Sequence, residues 1–190
     1  MRIALSVIVF TLAGTLFAQE QSVSDKVTKV ALTSLRYHPF VVEQNEDLRA
    51  ARFVVSDAAI GGAEASLRKF LDRRHGQQVV DEILASYHSN STAVQRLQSD
   101  DVSGFQVRPL DAFSSGPDGY SWSALHEAFP QVRSVVRLSR PAFDRLGTFA
   151  VVRYERIPES GHASASFFEF VKNADGSWAQ KQGMVGDLWQ

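Results

Sequence analysis

Apolar positions along this chain recur first with a helical and later with a strand period, and the change divides it into an early helical part and a late sheet. Val23, Val27, Val30, Ala31 and Leu35 are spaced by three and four, which predicts a helix from about Ser24 to Arg36. Ser22 and Asp25 provide a hydroxyl-then-carboxylate entry and Pro39 a stop. The short β-branched segment from Ala51 to Ser56, bounded by Asp57 and the Gly61-Gly62 pair, reads as a strand. Leu67, Phe70 and Leu71 then mark one face of a second helix between Ala63 and Arg74. Val79, Val80, Ile83, Leu84 and Tyr87 mark a third, with His75-Gly76 between the two.

His88 to Asp101 is polar and poor in large apolar residues, so it reads as a surface connection. Phe105, Val107 and Leu110 suggest a short extended piece before the turn-rich run Ser114 to Gly119. A fourth helix starts at Ser121, with Trp122, Leu125 and Phe129 inward and Pro130 just past its end. From Ser134 the period becomes two. Ser134–Ser139, Phe149–Ile157, Ala163–Val171 and Ser177–Val185 are four candidate strands, the last three separated by the hairpin-length loops Pro158–Gly161 and Asn173–Gly176. Short links imply antiparallel neighbours, because a parallel pair needs a crossover of about a dozen residues. The expected class is therefore α+β, a helix-rich N-terminal part packed on a C-terminal antiparallel meander.

The first residues stand apart from this pattern. Met1-Arg2 is followed by an apolar run from Ile3 to Phe17 and then Ala18-Gln19-Glu20, the three parts of a secretory signal. A spanning helix takes about 20 predominantly apolar residues, and this run is shorter. The expectation is a signal peptide over residues 1–18 cleaved after Ala18, a single globular domain over residues 19–190, no membrane span after cleavage, and a periplasmic or secreted destination. Leu16, rather than alanine, stands two before the cut, which leaves an uncleaved anchor as the alternative. The chain has no cysteine, so neither disulfides nor a cysteine-linked lipid anchor enter, and packing alone must hold the fold. With 20 basic against 21 acidic residues scattered along the chain, no basic excess points to nucleic acid.

The second half carries a resemblance. Trp122, Phe129-Pro130, Leu138-Ser139-Arg140 with Phe143, Gly147-Thr148 with Ala150-Val151, the run Lys172 to Trp178 and Trp189 occur in one order. In that order the chain resembles a family of uncharacterised exported bacterial proteins that share a "W…P…LSRxxF…KxxDGxW" pattern. The likeness covers residues 120–190 well and residues 25–88 more loosely. Pro141 and Ala142 depart from it, standing where the family has a smaller, glycine-containing step. The resemblance implies export and fold class, and no reaction.

Candidate chemistry is sparse. A serine hydrolase elbow of the Gly-x-Ser-x-Gly kind is absent from the sequence, and Ser160-Gly161-His162 reads more simply as a turn. His38, His75, His88, His126 and His162 fall in different elements, and His126-Glu127 lacks the second histidine of a zinc-protease helix, so no metal or other cofactor is expected. Asn90-Ser91-Thr92 matches a glycosylation acceptor and carries no weight in a bacterial-type chain. Arg68, Lys69, Arg73 and Arg74, with Asp72 among them, give the second helix a basic outer surface that reads as a solvated face, or else as a contact for an anionic lipid headgroup or an acidic partner. Ser139-Arg140-Pro141 ends a strand, where an arginine either receives a carboxylate or phosphate or ties the sheet to a neighbouring acid. Phe167, Phe168 and Phe170 cannot all point to one side of a strand, so one aromatic is left to line a pocket or an interface, or to be covered by the first helix.

No residue is expected to be catalytic. The sequence suggests a non-catalytic binding module of the cell envelope or secreted fraction, with an unidentified protein or small-molecule ligand. The alternative is an enzyme of unknown reaction with a pocket between helices and antiparallel sheet, for which a deep pocket holding His126 or His162 beside a carboxylate is the mark to look for.

Overall fold

The structure, a computed structural model, describes residues 22–33, 53–56, 62–91, 106–116, 119–159, 163–181 and 188–189. Helix α1 spans residues 22–33. It is followed by strand β1 (Phe53–Ser56), helices α2 (Glu64–Asp72) and α3 (Gln77–Ser91) and strand β2 (Gln106–Arg108). A 3₁₀ turn (Asp111–Phe113), the small ladder β3 (Ser114–Gly116) and β4 (Gly119–Tyr120), and helix α4 (Trp122–Ala128) come next. The chain ends in β5 (Ser134–Leu138), β6 (Ala142–Phe143), β7 (Phe149–Pro158), β8 (Ser164–Lys172), β9 (Trp178–Gln180) and β10 (Leu188–Trp189). The class is α+β, with helices early and an antiparallel sheet late, as the periodicity implies.

The main sheet runs β10-β8-β7-β5-β1-β2, with β6 added beside β7 and β9 beside β8. Pairing from β5 to β10 is antiparallel. β1 joins β5 and β2 in parallel, extending the late sheet with two strands from the early half of the chain. The link from β1 to β2 contains α2 and α3, long enough for a parallel crossover. The hairpin from β8 to β9 turns through Asn173–Gly176, where the Gly176 amide donates to the Asn173 carbonyl at 2.9 Å and φ of Gly176 is +81°. That left-handed conformation is the one a turn followed by a bulge requires of glycine.

Helices cover both faces of the sheet. On one face Val27, Ala31 and Leu32 of α1 pack with Val136, Leu138, Ala150, Val152, Tyr154, Phe168, Phe170 and Trp178. Thr28 lies on the same buried side of α1 and returns its hydroxyl to the Ser24 carbonyl at 2.9 Å, so no polar group is stranded there. On the other face Leu67 and Leu71 of α2 and Val80, Ile83, Leu84 and Tyr87 of α3 pack on Ala142, Phe149, Val151 and Phe167. A third cluster, Leu110, Leu125, Val132 and Val135 with half-buried Trp122, Phe129 and Ile157, lies under α4. The Phe167, Phe168 and Phe170 question thus resolves with no aromatic left over. Phe168 and Phe170 lie under α1, and Phe167 is opposite them, its ring 5.3 Å from that of Phe70.

Two expectations change. The polar stretch expected as a connection from His88 begins as helix, since α3 continues to Ser91. Its last turn is fastened to the sheet: Asn90 Nδ2 donates to the Pro141 carbonyl at 2.9 Å, and one turn earlier Ser86 Oγ accepts the Phe143 amide at 3.0 Å. Leu110, expected in an extended piece, lies beyond β2 and is the buried residue from which the 3₁₀ turn starts. Of the last candidate strand, Trp178–Gln180 is β9, and residues 182–187 lie outside the described ones.

Candidate functional site

The strand period places Phe149, Val151, Arg153, Glu155 and Ile157 of β7 on the face that carries α2, α3 and α4. Cross-strand register adds Val135 and Arg137 from β5, and Ala165, Phe167 and Glu169 from β8. The apolar members belong to the clusters under α2–α3 and under α4. Between those clusters the sheet floor turns polar.

That floor is a strip of three charges. Arg153 and Glu155, two apart on β7, are paired through Nη2 and Oε1, and Arg137, directly across from Glu155, approaches it to 3.5 Å. Side-chain exposure rises along the strip from 10% at Arg153 through 18% at Glu155 to 27% at Arg137, so its inner end is desolvated and its outer end open. The inner end is fixed by Ser139. Its hydroxyl accepts the Arg153 amide at 2.8 Å and donates to the Arg140 carbonyl at 2.9 Å, while its own amide donates to the Arg153 carbonyl at 2.8 Å. This buried serine holds β7 where β5 ends.

Above the inner end stands Tyr87 of α3, 2% exposed, whose hydroxyl lies beside Arg153 with no acceptor for its proton. Burial pushes its ionisation up, and the nearby Arg153 charge opposes the shift without reversing it. A buried hydroxyl normally finds a partner, because leaving one unmade costs about 1–3 kcal/mol.

A second charged group lies at the β9 edge of the same face. The Glu169 carboxylate receives His75 Nε2 at 2.9 Å, Lys181 Nζ at 3.7 Å and Arg74 Nη1 at 3.9 Å. The His75 ring lies 4.7 Å from that of Phe149, and the Arg74 guanidinium lies over Phe70 at 4.6 Å. One buried acid thereby ties the α2–α3 turn to the sheet.

The residues singled out in the sequence separate cleanly. Half-buried Arg140 follows the end of β5: burial lowers its pKa, and the Asp25 carboxylate of α1 opposes that shift. Arg68 pairs with Asp81 at 3.4 Å, and Arg74 turns inward to Glu169, so half of the four-residue basic set on α2 and its following turn faces acids of the fold itself. His88 meets Glu64 at 2.8 Å on the exposed side of α2 and α3. His126 Nε2 lies 3.1 Å from the Val132 carbonyl, 3.0 Å from Arg133 Nη1 and 3.4 Å from Glu159, so it can donate to the first or accept from the second. His38 and the Ser160-Gly161-His162 turn lie outside the described residues. Among the described residues no three His, Asp or Glu side chains form a metal-sized group, and no described helix is long and apolar enough to cross a membrane.

Sequence reading missed the strip and Glu169. Arg153, Glu155 and Glu169 sit in strands otherwise rich in apolar residues, and a charge at an inward strand position was the available signal. No family model, curated protein or solved structure matches the chain.

Proposed function

We propose that the protein is an exported, non-catalytic binding module of the cell envelope or secreted fraction, and that its ligand seats on the Arg153–Glu155–Arg137 strip between α3 and α4. The observation that carries this reading is the Tyr87 hydroxyl, fully buried beside Arg153 with no acceptor for its proton. A polar floor laid between two apolar clusters adds no packing to the fold, and a bound group gives it a use. Export rests on the Met1 to Ala18 pattern and on the resemblance of residues 120–190 to exported bacterial proteins. The non-catalytic part is supported by the described histidines. His75, His88 and His126 each link two elements of the fold, and the carboxylate beside His75 is shared with Arg74 and Lys181.

Thermal unfolding of the exported protein across a panel of sugars, nucleotides, amino acids, lipids and peptidoglycan fragments tests the binding reading. A saturable rise in Tm for one class is expected in the wild type and not in Tyr87→Phe, since a ligand of the native state must stabilise it. A rise that Tyr87→Phe retains in full places the ligand elsewhere. Mass spectrometry of the same material tests export, with a mature chain beginning at Gln19 expected.

A further inference from the structure

We infer that His126 is a proton-operated latch on the Arg133 side chain. Neutral, its Nε2 accepts Arg133 and keeps that guanidinium against the end of β7; protonated, it takes the Val132 carbonyl or the Glu159 carboxylate for itself and releases Arg133 to solvent. His126 lies in the last turn of α4, and its three partners come from the two residues before β5 and the residue after β7. The backbone holds those partners in place. The Glu159 amide donates to the Arg133 carbonyl at 3.0 Å, continuing the β5–β7 ladder, and the Val132 amide donates to the Phe129 carbonyl at 3.0 Å.

Arg133 Nη1 has more acceptors than hydrogens. It stands 3.0 Å from His126 Nε2, 3.1 Å from Glu159 Oε2 and 3.3 Å from the Val132 carbonyl, and it carries two hydrogens. Nε2 itself lies 3.1 Å from the Val132 carbonyl and 3.4 Å from Glu159 Oε2. A ring with its proton on Nδ1 offers Nε2 as an acceptor, so the contact to Nη1 is a hydrogen bond. A doubly protonated ring donates from Nε2 to Val132 or Glu159 and meets Nη1 as cation against cation, so one of the two must withdraw. Exposure selects which. The Arg133 side chain is 55% exposed, against 30% for His126 and 34% for Glu159, and the ring stands on a helix seated by the buried Leu125. Arg133 therefore moves. The other groups nearby do not substitute for His126. Trp122, one turn back with its ring 6.3 Å away, carries no charge; exposed Glu127 is adjacent on the helix and faces another way; Arg137 and Glu155, the next charged pair across β5 and β7, lie beyond Val135 and Ile157.

The test is NMR of the isotope-labelled full exported protein at about pH 8 and about pH 5, on either side of the imidazole range. Long-range proton–nitrogen spectra are expected to show His126 protonated on Nδ1 alone at the higher pH and on both nitrogens at the lower. Rotation of the Arg133 guanidinium about its Nε–Cζ bond, read from exchange between its Nη resonances, is expected to be several-fold slower at the higher pH. That pH dependence should vanish in His126→Gln, which should still melt cooperatively. Wild-type His126 carrying its proton on Nε2 at the higher pH, or Arg133 rotating at one rate at both, overturns the latch with no variant required. A pH dependence that His126→Gln retains belongs to another group and overturns it as well.

Discussion

His75 and Glu169, 94 positions apart, meet with Nε2 2.9 Å from a carboxylate oxygen, and that contact joins the α2–α3 turn to the β8 strand. Glu169 is 4% exposed, so its charge is tolerated only because cations surround it. Glu169→Ala is expected to cost about 3–5 kcal/mol, the range for stripping a buried pair of one partner. Lys181, 44% exposed, gains little from the same carboxylate, and Lys181→Ala should cost no more than about 0.5 kcal/mol. Urea denaturation midpoints compare the two. Equal losses would mean that Glu169 gains no more from His75 and Arg74 than from Lys181, and that this carboxylate does not fasten the turn.

The cover of the sheet by α1 is tested by packing defects. Leu32 of α1 and Phe168 of β8 belong to one buried cluster, and Leu67 of α2 lies in another on the opposite face. Leu32→Ala is expected to lose about 2–5 kcal/mol and Phe168→Ala about 3–5 kcal/mol, through lost burial and the void left behind. Combined with Leu67→Ala, either loss should add within about 0.5 kcal/mol, as independent sites do. The Leu32–Phe168 double variant should depart from additivity by more. A Leu32→Ala protein as stable as wild type would mean that α1 does not close this face.

Elements with a regular apolar period were legible in the sequence. The α2 and α3 faces, the inner side of α4 and the β7–β8–β9 meander follow from spacing and turn residues alone. The parallel pairing of β1 was not, because β1 is joined to β5 and β2 by contacts remote in sequence, and the short run Phe53-Val54-Val55-Ser56 says nothing of its neighbours. The helical turn after His88 was hidden because Asn90 and Ser91 favour helix ends, and the Asn90 bond to Pro141 that supports it is tertiary. His75, one of five scattered histidines, looked like a linker residue. Its partner Glu169 is distant in sequence, and only the fold brings them together.

Glu82 and Asp175 carry a pH prediction. Glu82 is held below its ordinary 4.5, first by the Arg145 amide at 3.0 Å and then by Gln78. Asp175 is held below its ordinary 3.8 by the Ser177 hydroxyl and then its amide, at 2.6 and 2.9 Å. A lowered native pKa means that above pH 4 to 4.5 the folded state gains from the ionised form, and the gain disappears as pH falls through the lowered native values. NMR titration of the carboxyl carbons should therefore place both below the same residues in the urea-unfolded chain. Ser177→Ala should move Asp175 back towards its ordinary value and leave Glu82 unmoved. Coincident folded and unfolded titrations would show that neither contact persists in solution.

Tyr87 yields a prediction that needs no ligand. Its hydroxyl is buried with no acceptor for its proton, so replacing the residue with phenylalanine removes a desolvated polar group while keeping the ring in the cluster under α2 and α3. Tyr87→Phe is accordingly expected to raise stability by about 1 kcal/mol at neutral pH, the lower end of the cost of an unmade buried bond. Alkali separates this from a simple packing gain. Burial raises the native pKa above the ordinary 10, so when pH climbs past that value the unfolded chain releases its proton while the native state keeps it. The unfolded state then binds fewer protons and native stability falls with pH. The variant lacks this loss, so its advantage over wild type should widen above pH 10. Urea denaturation at pH 7 and just above pH 10 gives both numbers. A Tyr87→Phe protein less stable than wild type at pH 7, by a margin that does not change in alkali, would mean that the hydroxyl is bonded within the fold, and the site would lose the observation on which it stands.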